Sequence, residues 1–246
     1  MRSFCAEICR TLAEPLAATA PAKARGWLLI QHPGSWPATG LPDELPAELH
    51  KVAALASTAG VRPQLIRRTT DRAPTWPLGI YLASSVGPPP WLEYREFADP
   101  EQLATILDLL SPANLAATAA GRRTGFGTPV DHRLLLVCTH AARDRCCAKA
   151  GRPAAVALAK RFPGLVWETS HLGGHRFAAN LVTLPDGSYH GGLDTDPDRV
   201  EHVAAATLRG AVDLTHYRGR SGRSAAAQTA DWHARRSTGL TGLDAV

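Results

Sequence analysis

Short apolar runs and helical stripes alternate along the first half of the chain. Apolar side chains recur at helical spacing over 42–59, and Gly60 follows as a stop signal. Asp99 and Pro100 together form a helix-start signal, because Asp caps and Pro suits the first helical position. They predict a helix that continues to Leu110. Compact apolar or alternating runs predict four strands, at 26–32, 62–68, 78–84 and 91–97.

The second half repeats this order of elements. Strands are predicted at 132–137, 165–168, 178–184 and 188–191, and helices at 152–162 and from 197 to about 212. The last two strands flank Pro185-Asp186-Gly187, which is typical of a hairpin turn. A segment rich in Ala, Gly and Thr at 113–129 separates the halves and is predicted to be a linker.

The repeated order predicts an α/β fold with two related domains, at 1–125 and 126–246. Each domain is expected to contain a small mixed β-sheet with helices packed on it. The repeat lies in the order of the elements and not in residue identities. A length of 246 residues and a hydrophobic content of 45% are sufficient for two such cores.

Composition and charge exclude several classes of protein. The formal net charge is +5, which favours acidic partners such as an electron-transfer protein. No dense basic stripe with interleaved aromatic residues is present, so a nucleic-acid partner is not expected. Neither a run of about eighteen apolar residues nor a signal-peptide core occurs, so we expect a soluble cytoplasmic protein without a membrane partner.

The C-terminal region from residue 213 is irregular and rich in arginine. A helix is predicted at 225–235, with Trp232 packed on the body of the protein and solvated arginines around it. The alternative interpretation is that these arginines form a docking surface for an acidic redox partner.

Cysteine and histidine supply the candidate chemistry. Cys138 and Cys147 bracket a short polar segment, and His171 and His175 follow about thirty residues later. Two thiolates and two imidazoles can complete a four-ligand site for zinc, or for a 2Fe–2S cluster held in the Rieske manner. Gly173 and Gly174 predict a tight loop between the histidines that approaches the metal closely.

The remaining cysteines leave alternatives open. Cys146 is adjacent to Cys147 and could replace it as a ligand, or could point away as a small buried hydrophobic residue. Cys5 and Cys9 could bind metal, form a redox pair, or be ordinary thiols. A thiol oxidoreductase using either Cys146 with Cys147 or Cys5 with Cys9 is a further alternative, although neither pair has the Cys-x-x-Cys spacing of a poised dithiol.

Several strings resemble the sucrase/ferredoxin-like family. They include EPLAATAP at 14–21, WLLI at 27–30, VCTH at 137–140, RDRCC at 143–147 and SHLGGHRFAAN at 170–180. The resemblance covers nearly the whole chain, and the last string is specific. It implies thioredoxin-like domains, with a thioredoxin-like ferredoxin domain in the second half.

Fungal relatives bind a 2Fe–2S cluster through two Cys and two His, so the resemblance assigns that cofactor to Cys138, Cys147, His171 and His175. We therefore expect an electron carrier or a reductase component rather than a stand-alone enzyme. No nicotinamide or flavin fingerprint is present, so a separate reductase is expected to donate the electrons. Arg143, Asp144 and Arg176 are predicted to tune the site from adjacent positions.

Overall fold

A computed structural model describes residues 4–70, 76–193 and 196–245. The first half contains α1 (Cys5–Thr11), β1 (Gly26–Gln31), α2 (Ala47–Ala59), β2 (Val61–Arg67), β3 (Leu78–Ser84), β4 (Trp91–Phe97), α3 (Pro100–Leu103), α4 (Ile106–Leu109), α5 (Pro112–Ala119) and β5 (Thr128–Pro129). The second half contains β6 (Leu134–Cys138), α6 (Arg145–Arg161), β7 (Val166–Thr169), a 3₁₀ turn (His175–Phe177), β8 (Leu181–Leu184), β9 (Ser188–His190), α7 (Pro197–Leu208), β10 (Tyr217–Arg220) and α8 (Ala225–Thr238).

All of these strands belong to one mixed sheet with the order β10-β9-β8-β6-β7-β2-β1-β3-β4-β5. The two halves repeat the same pairing. β1 lies parallel to β2 and antiparallel to β3, which pairs with β4. β6 likewise lies parallel to β7 and antiparallel to β8, which pairs with β9. The predicted α/β class is therefore confirmed.

The halves meet at a narrow seam between β2 and β7. Only Ile66 with Thr169 and Arg67 with Glu168 are paired there in the described sheet. Arg67 reinforces the seam by donating to the Glu168 carboxylate at 2.9 Å. A sheet joined by so short a ladder can bend strongly at that point.

Alternating side chains show that the two half-sheets pack face to face. In β1, Leu28 and Ile30 pack against the first-half helices, whereas Trp27 and Leu29 pack against residues of the second half. In β6, Leu135 and Val137 face α6 and α7, and the alternate positions, including Cys138, join the shared inner cluster. The result is a helix–sheet–sheet–helix arrangement with two outer cores and one shared inner core.

Polar contacts also join the halves across this inner layer. The Ser85 hydroxyl donates to the carbonyl oxygen of Pro185 at 2.7 Å and accepts from the Trp27 indole N–H. The rings of Trp27 and Tyr189 lie 6.1 Å apart between centroids. Both halves therefore contribute to the surroundings of Cys138.

Several predicted boundaries need correction. The segment 113–129 is not a free linker, because it contains most of α5 and all of β5, and Leu115 and Phe126 are fully buried. The helix predicted at 152–162 begins earlier, at Arg145, and Asp144 caps it. The strand predicted from residue 178 begins at Leu181. The helix predicted through 110 is two short helices, and α7 ends at Leu208.

The division into domains 1–125 and 126–246 stays a prediction. β5 lies beyond the predicted boundary yet pairs with β4 of the first half. Within the described residues, no helix is both long and apolar enough to cross a membrane.

Candidate metal centre

Cys138 is the last residue of β6 and its side chain enters the shared inner core. The thiol is buried, with the residue only 1% exposed. Its backbone N–H donates to the carbonyl oxygen of Asn180, which fixes the strand end against the neighbouring chain. The sulfur is therefore held by the sheet, at a point where the chain leaves it.

Cys147 lies in the first turns of α6 and not in the loop that the sequence predicts. Asp144 caps this helix by accepting from the Cys146 backbone N–H at 2.8 Å. The helix N-terminus carries a partial positive charge, which stabilises a thiolate placed beside it. One turn later, Gly151 lies against the backbone of Cys138, so the helix and strand approach closely.

His171 is held by the loop after β7 and by both halves of the chain. Its carbonyl oxygen accepts from the Arg62 guanidinium at 2.7 Å and from the Gln64 amide at 3.4 Å. Its backbone N–H donates to Nδ1 of His140 at 3.1 Å. Burial lowers the pKa of His140, so this imidazole remains neutral and keeps its acceptor.

His175 is the first residue of the 3₁₀ turn and directly follows two glycines with positive φ. Gly173 has φ of 90° and Gly174 has φ of 71°, values that favour glycine. This confirms the predicted tight loop. The His175 side chain is 47% exposed, and its Nε2 lies 3.8 Å from Oδ2 of Asp144. Its ring centroid is 6.0 Å from that of His171.

The structure brings together three of the four predicted ligands. One donor atom each of Cys138, Cys147 and His171 lie within 4.8 Å of one another. Nδ1 of His171 is 3.7 Å from Sγ of Cys147. His175 is adjacent but is not part of this three-residue group. The predicted constellation is therefore a real cluster in space, with its fourth member at the exposed edge.

The surroundings favour a thiolate at Cys138. The adjacent Cys147 thiol, followed by His171 and by the backbones of His140 and Leu172, holds the pKa of Cys138 well below its ordinary value despite burial. The pKa of Cys147 is raised because its thiol lies beside the Cys138 sulfur and is itself buried. A metal ion bound here would take both sulfurs as thiolates.

The other cysteines face away from this group. Cys146 is buried and contacts Ala6 and Ala178, as predicted for a small hydrophobic residue, but its Sγ also lies 3.0 Å from Sγ of Cys5. The Cys9 thiol donates to the Glu14 carboxylate. The dithiol pairs considered from the sequence, Cys146 with Cys147 and Cys5 with Cys9, are therefore separated into different contacts.

The sequence did not predict the residues that hold the loop between His171 and His175, here called the histidine loop. Arg218 is 1% exposed and donates to the Gly173 carbonyl oxygen, the Asn180 amide oxygen and Thr19. The Asn180 side chain in turn donates to the Gly174 carbonyl oxygen at 2.9 Å. Asn180 lies within the specific string at 170–180, and that string was the sequence signal that could have identified it.

The C-terminal arginines are not the solvated set that the sequence suggested. Arg218 and Arg235 are almost fully buried, and Arg220 is 6% exposed. Arg235 donates to the Asp231 carboxylate and to the carbonyl oxygens that follow α8. These three arginines are therefore structural, whereas Trp232 packs partly buried against the body as predicted.

Of the residues predicted to tune the site, Asp144 is in contact with it. Asp144 caps α6, which carries Cys147, and lies beside His175. Arg176 is exposed and pairs with Glu14. Arg143 is exposed.

Together, the fold and site define a mixed α/β protein with a buried Cys/His group that could hold a metal. The family model described as Sucrase/ferredoxin-like matches residues 18–219, and the chain belongs to this family. Comparisons with curated proteins and with solved structures give no match.

Proposed function

We propose that this protein is a one-electron carrier that holds a 2Fe–2S cluster through Cys138, Cys147, His171 and His175. The observation that supports this most directly is the buried group of Cys138, Cys147 and His171 donors within 4.8 Å of one another. The ferredoxin-like description of the family supports the same assignment.

The arrangement of the donors favours a cluster over a single zinc ion. Structural zinc needs four donors around one point, at about 2.0–2.3 Å from the ion. Here the two cysteines lie buried on one side, and His175 stands at the edge beside His171 and outside the compact group. A two-iron centre spreads its ligands over two metal ions, so it does not need all four donors around one point.

The ligands determine the expected redox range. A bound 2Fe–2S cluster supplies one-electron oxidation and reduction. Two neutral imidazoles in place of two thiolates remove negative charge, which makes electron uptake easier. We expect a potential nearer the range of roughly −150 to +300 mV seen for centres with two histidines than the value of about −400 mV for plant-type ferredoxins.

The histidines also provide places for protons. Nδ1 of His171 faces the Cys147 sulfur, and Nε2 of His175 lies 3.8 Å from Oδ2 of Asp144. Each imidazole would bind iron through one nitrogen, so electron uptake should favour a proton on the other nitrogen. The potential should then fall by about 59 mV per pH unit for each proton taken up with the electron. A potential that stays constant from about pH 6 to 10 would exclude this coupling.

Iron and sulfide analysis tests the proposal. Protein purified without oxygen should be coloured, contain iron and inorganic sulfide in equal amounts, and bleach with dithionite. Cys138→Ser and His175→Ala should lose the colour, whereas the matched control Cys9→Ser should keep it. A colourless protein that holds one zinc per chain would overturn the electron-transfer function.

A structural zinc site is the second candidate, and the same four residues would hold it. The closeness of the Cys138 and Cys147 sulfurs supports either metal, because each would bind both as thiolates. The two candidates predict opposite results in the metal analysis.

We also propose how the chain is organised around this function. The repeated strand order supports two thioredoxin-like domains. The first domain would line one side of the site, where Arg62 and Gln64 donate to the carbonyl oxygen of His171. A separate reductase would donate electrons at the His175 edge, where a ligand is exposed. The five free cysteines suit the cytoplasm.

A further inference from the structure

A second pair of thiols lies beside the metal centre and has no role in it. Sγ of Cys5, the first residue of α1, is 3.0 Å from Sγ of Cys146 in α6. This separation is smaller than the usual contact of non-bonded heavy atoms, about 3.5–4.0 Å for carbon. Two sulfurs distant in sequence are thus brought to within about 1 Å of the 2.03–2.05 Å of a disulfide bond.

The approach is fixed by contacts on both sides of the pair. Glu7 of α1 forms an ion pair with Lys149 of α6, with 2.7 Å between Oε1 and Nζ. Lys149 also lies over the Phe4 ring at 3.9 Å. Farther along α1, Arg10 donates to the carbonyl oxygen of Ala178. The two thiols are therefore held in place by the docking of α1.

We propose that Cys5 and Cys146 form a reversible disulfide, which fastens α1 to the helix that carries Cys147. The inference does not depend on which metal the neighbouring site holds. The disulfide would make Cys5 and Cys146 a site of redox modification, because the other three thiols contact different groups.

A metal ion is the competing use of this pair, since Asp144 lies close enough to complete a three-residue group. Two thiolates on one tetrahedral zinc, each at about 2.3 Å from the ion, stand about 3.8 Å apart. The observed separation of 3.0 Å is shorter than that. It lies between the zinc value and the length of about 2.03–2.05 Å of a disulfide bond. Structural zinc takes four donors, whereas this described group has three, and its Asp144 already accepts from the Cys146 backbone N–H as the cap of α6. A disulfide needs only the two sulfurs, so it is the use that the pair can complete.

The oxidant we assign is a low-molecular-weight disulfide such as oxidised glutathione. Cys5 is partly exposed and Cys146 is only 4% exposed, so the Cys5 thiolate attacks first and displaces one glutathione thiolate. The Cys146 sulfur then attacks the mixed disulfide, loses its proton to solvent and displaces the second glutathione. Two protein thiols become one disulfide, and two electrons pass to the two glutathione sulfurs.

Peptide mapping of the metal-loaded protein tests the inference. The protein is equilibrated with a series of reduced-to-oxidised glutathione ratios, quenched in acid, alkylated and digested without reductant. We expect a peptide containing Cys5 linked to one containing Cys146, and the link should disappear after reduction. The N-terminal segment of the oxidised protein should also resist proteolysis several-fold longer than that of the reduced protein.

Variants separate this pair from the other thiols. Cys5→Ser and Cys146→Ser should each abolish the link, and Cys9→Ser, on the same helix, should retain it. A link through Cys9, Cys138 or Cys147 would overturn the proposal. So would glutathione adducts at Cys5 that never resolve, or zinc bound in a Cys5-dependent manner. Peptide mapping of the unsubstituted protein decides the matter even if a variant folds poorly.

Discussion

Gly151→Ala is the sharpest single test of how Cys138 and Cys147 are brought together. A methyl group at this position would lie 2.0 Å from the carbonyl oxygen and 3.0 Å from the carbonyl carbon of Cys138. Both obstacles are backbone atoms of a buried strand end, so neither can rotate away. The helix that carries Cys147 must therefore move away from the strand that carries Cys138.

The size of that movement decides the expected result. Ordinary contact begins at 3.4 Å, so α6 must retreat by about 1.4 Å. Metal–ligand distances are fixed to within about 0.2 Å, so this displacement is too large for both sulfurs to bind. Overpacking costs about 1–3 kcal/mol, and the better helix propensity of Ala offsets about 1 kcal/mol of it.

We therefore expect Gly151→Ala to lose its iron while losing no more than about 2 kcal/mol of stability, or roughly 4–8 °C in Tm. Iron content and the visible spectrum measure the first effect, and thermal denaturation measures the second. Val156→Ala on the exposed face of the same helix is the control. A Gly151→Ala protein with full iron and an unchanged spectrum would refute the close-approach argument.

Three other outcomes follow from the structure. In Arg218→Lys the side chain keeps its charge but cannot bond to Gly173, Asn180 and Thr19 together. A chelator should therefore remove the metal at least about tenfold faster than from the unsubstituted protein. The loss of visible absorbance measures this rate. Cys147→Ser should abolish iron binding, whereas Cys146→Ser should retain it; the reverse result in iron analysis would exchange their roles. Burial lowers the pKa of His190 to about 3 in the folded protein. In the unfolded chain, this histidine binds a proton below about pH 6.5, whereas in the folded chain it binds one only below about pH 3. Stability in urea should therefore fall between pH 7 and pH 4, and His190→Phe should lessen that fall; an identical fall in both proteins would show that His190 is not its source.

The strands were predicted well where burial imposes a simple pattern. β3 and β4 were predicted with the bounds that the structure shows, because each is a compact run that begins directly after a proline. The grouping of Cys138, Cys147 and His171 was predicted, since two local pairs of residues needed only one long-range approach to meet. The choice of Cys147 over Cys146 as a metal ligand stays a prediction.

The failures have two physical origins, which are ambiguous local signals and partners that are distant in the sequence. The polar start of α6 resembles a loop, because Pro153 gives a later helix-start signal and the earlier Asp144 cap is a single residue. The buried arginines could not be predicted, since Arg218 finds its acceptors on Thr19 and Gly173, far away in the sequence. Local patterns do not encode which loop carbonyls will surround a buried guanidinium.

The shared inner core has a practical consequence for anyone who wishes to make a smaller version of this protein. A fragment that begins at residue 126 would leave Leu134, Leu136 and Tyr189 facing water instead of the first half. It would also lack Arg62 and Thr19, so the histidine loop would lose its supports from both sides. The match to the family begins one residue before Thr19 and ends one residue after Arg218. The smallest fragment that keeps these supports therefore contains both halves, joined by the hydrogen bonds from Arg218 to Thr19.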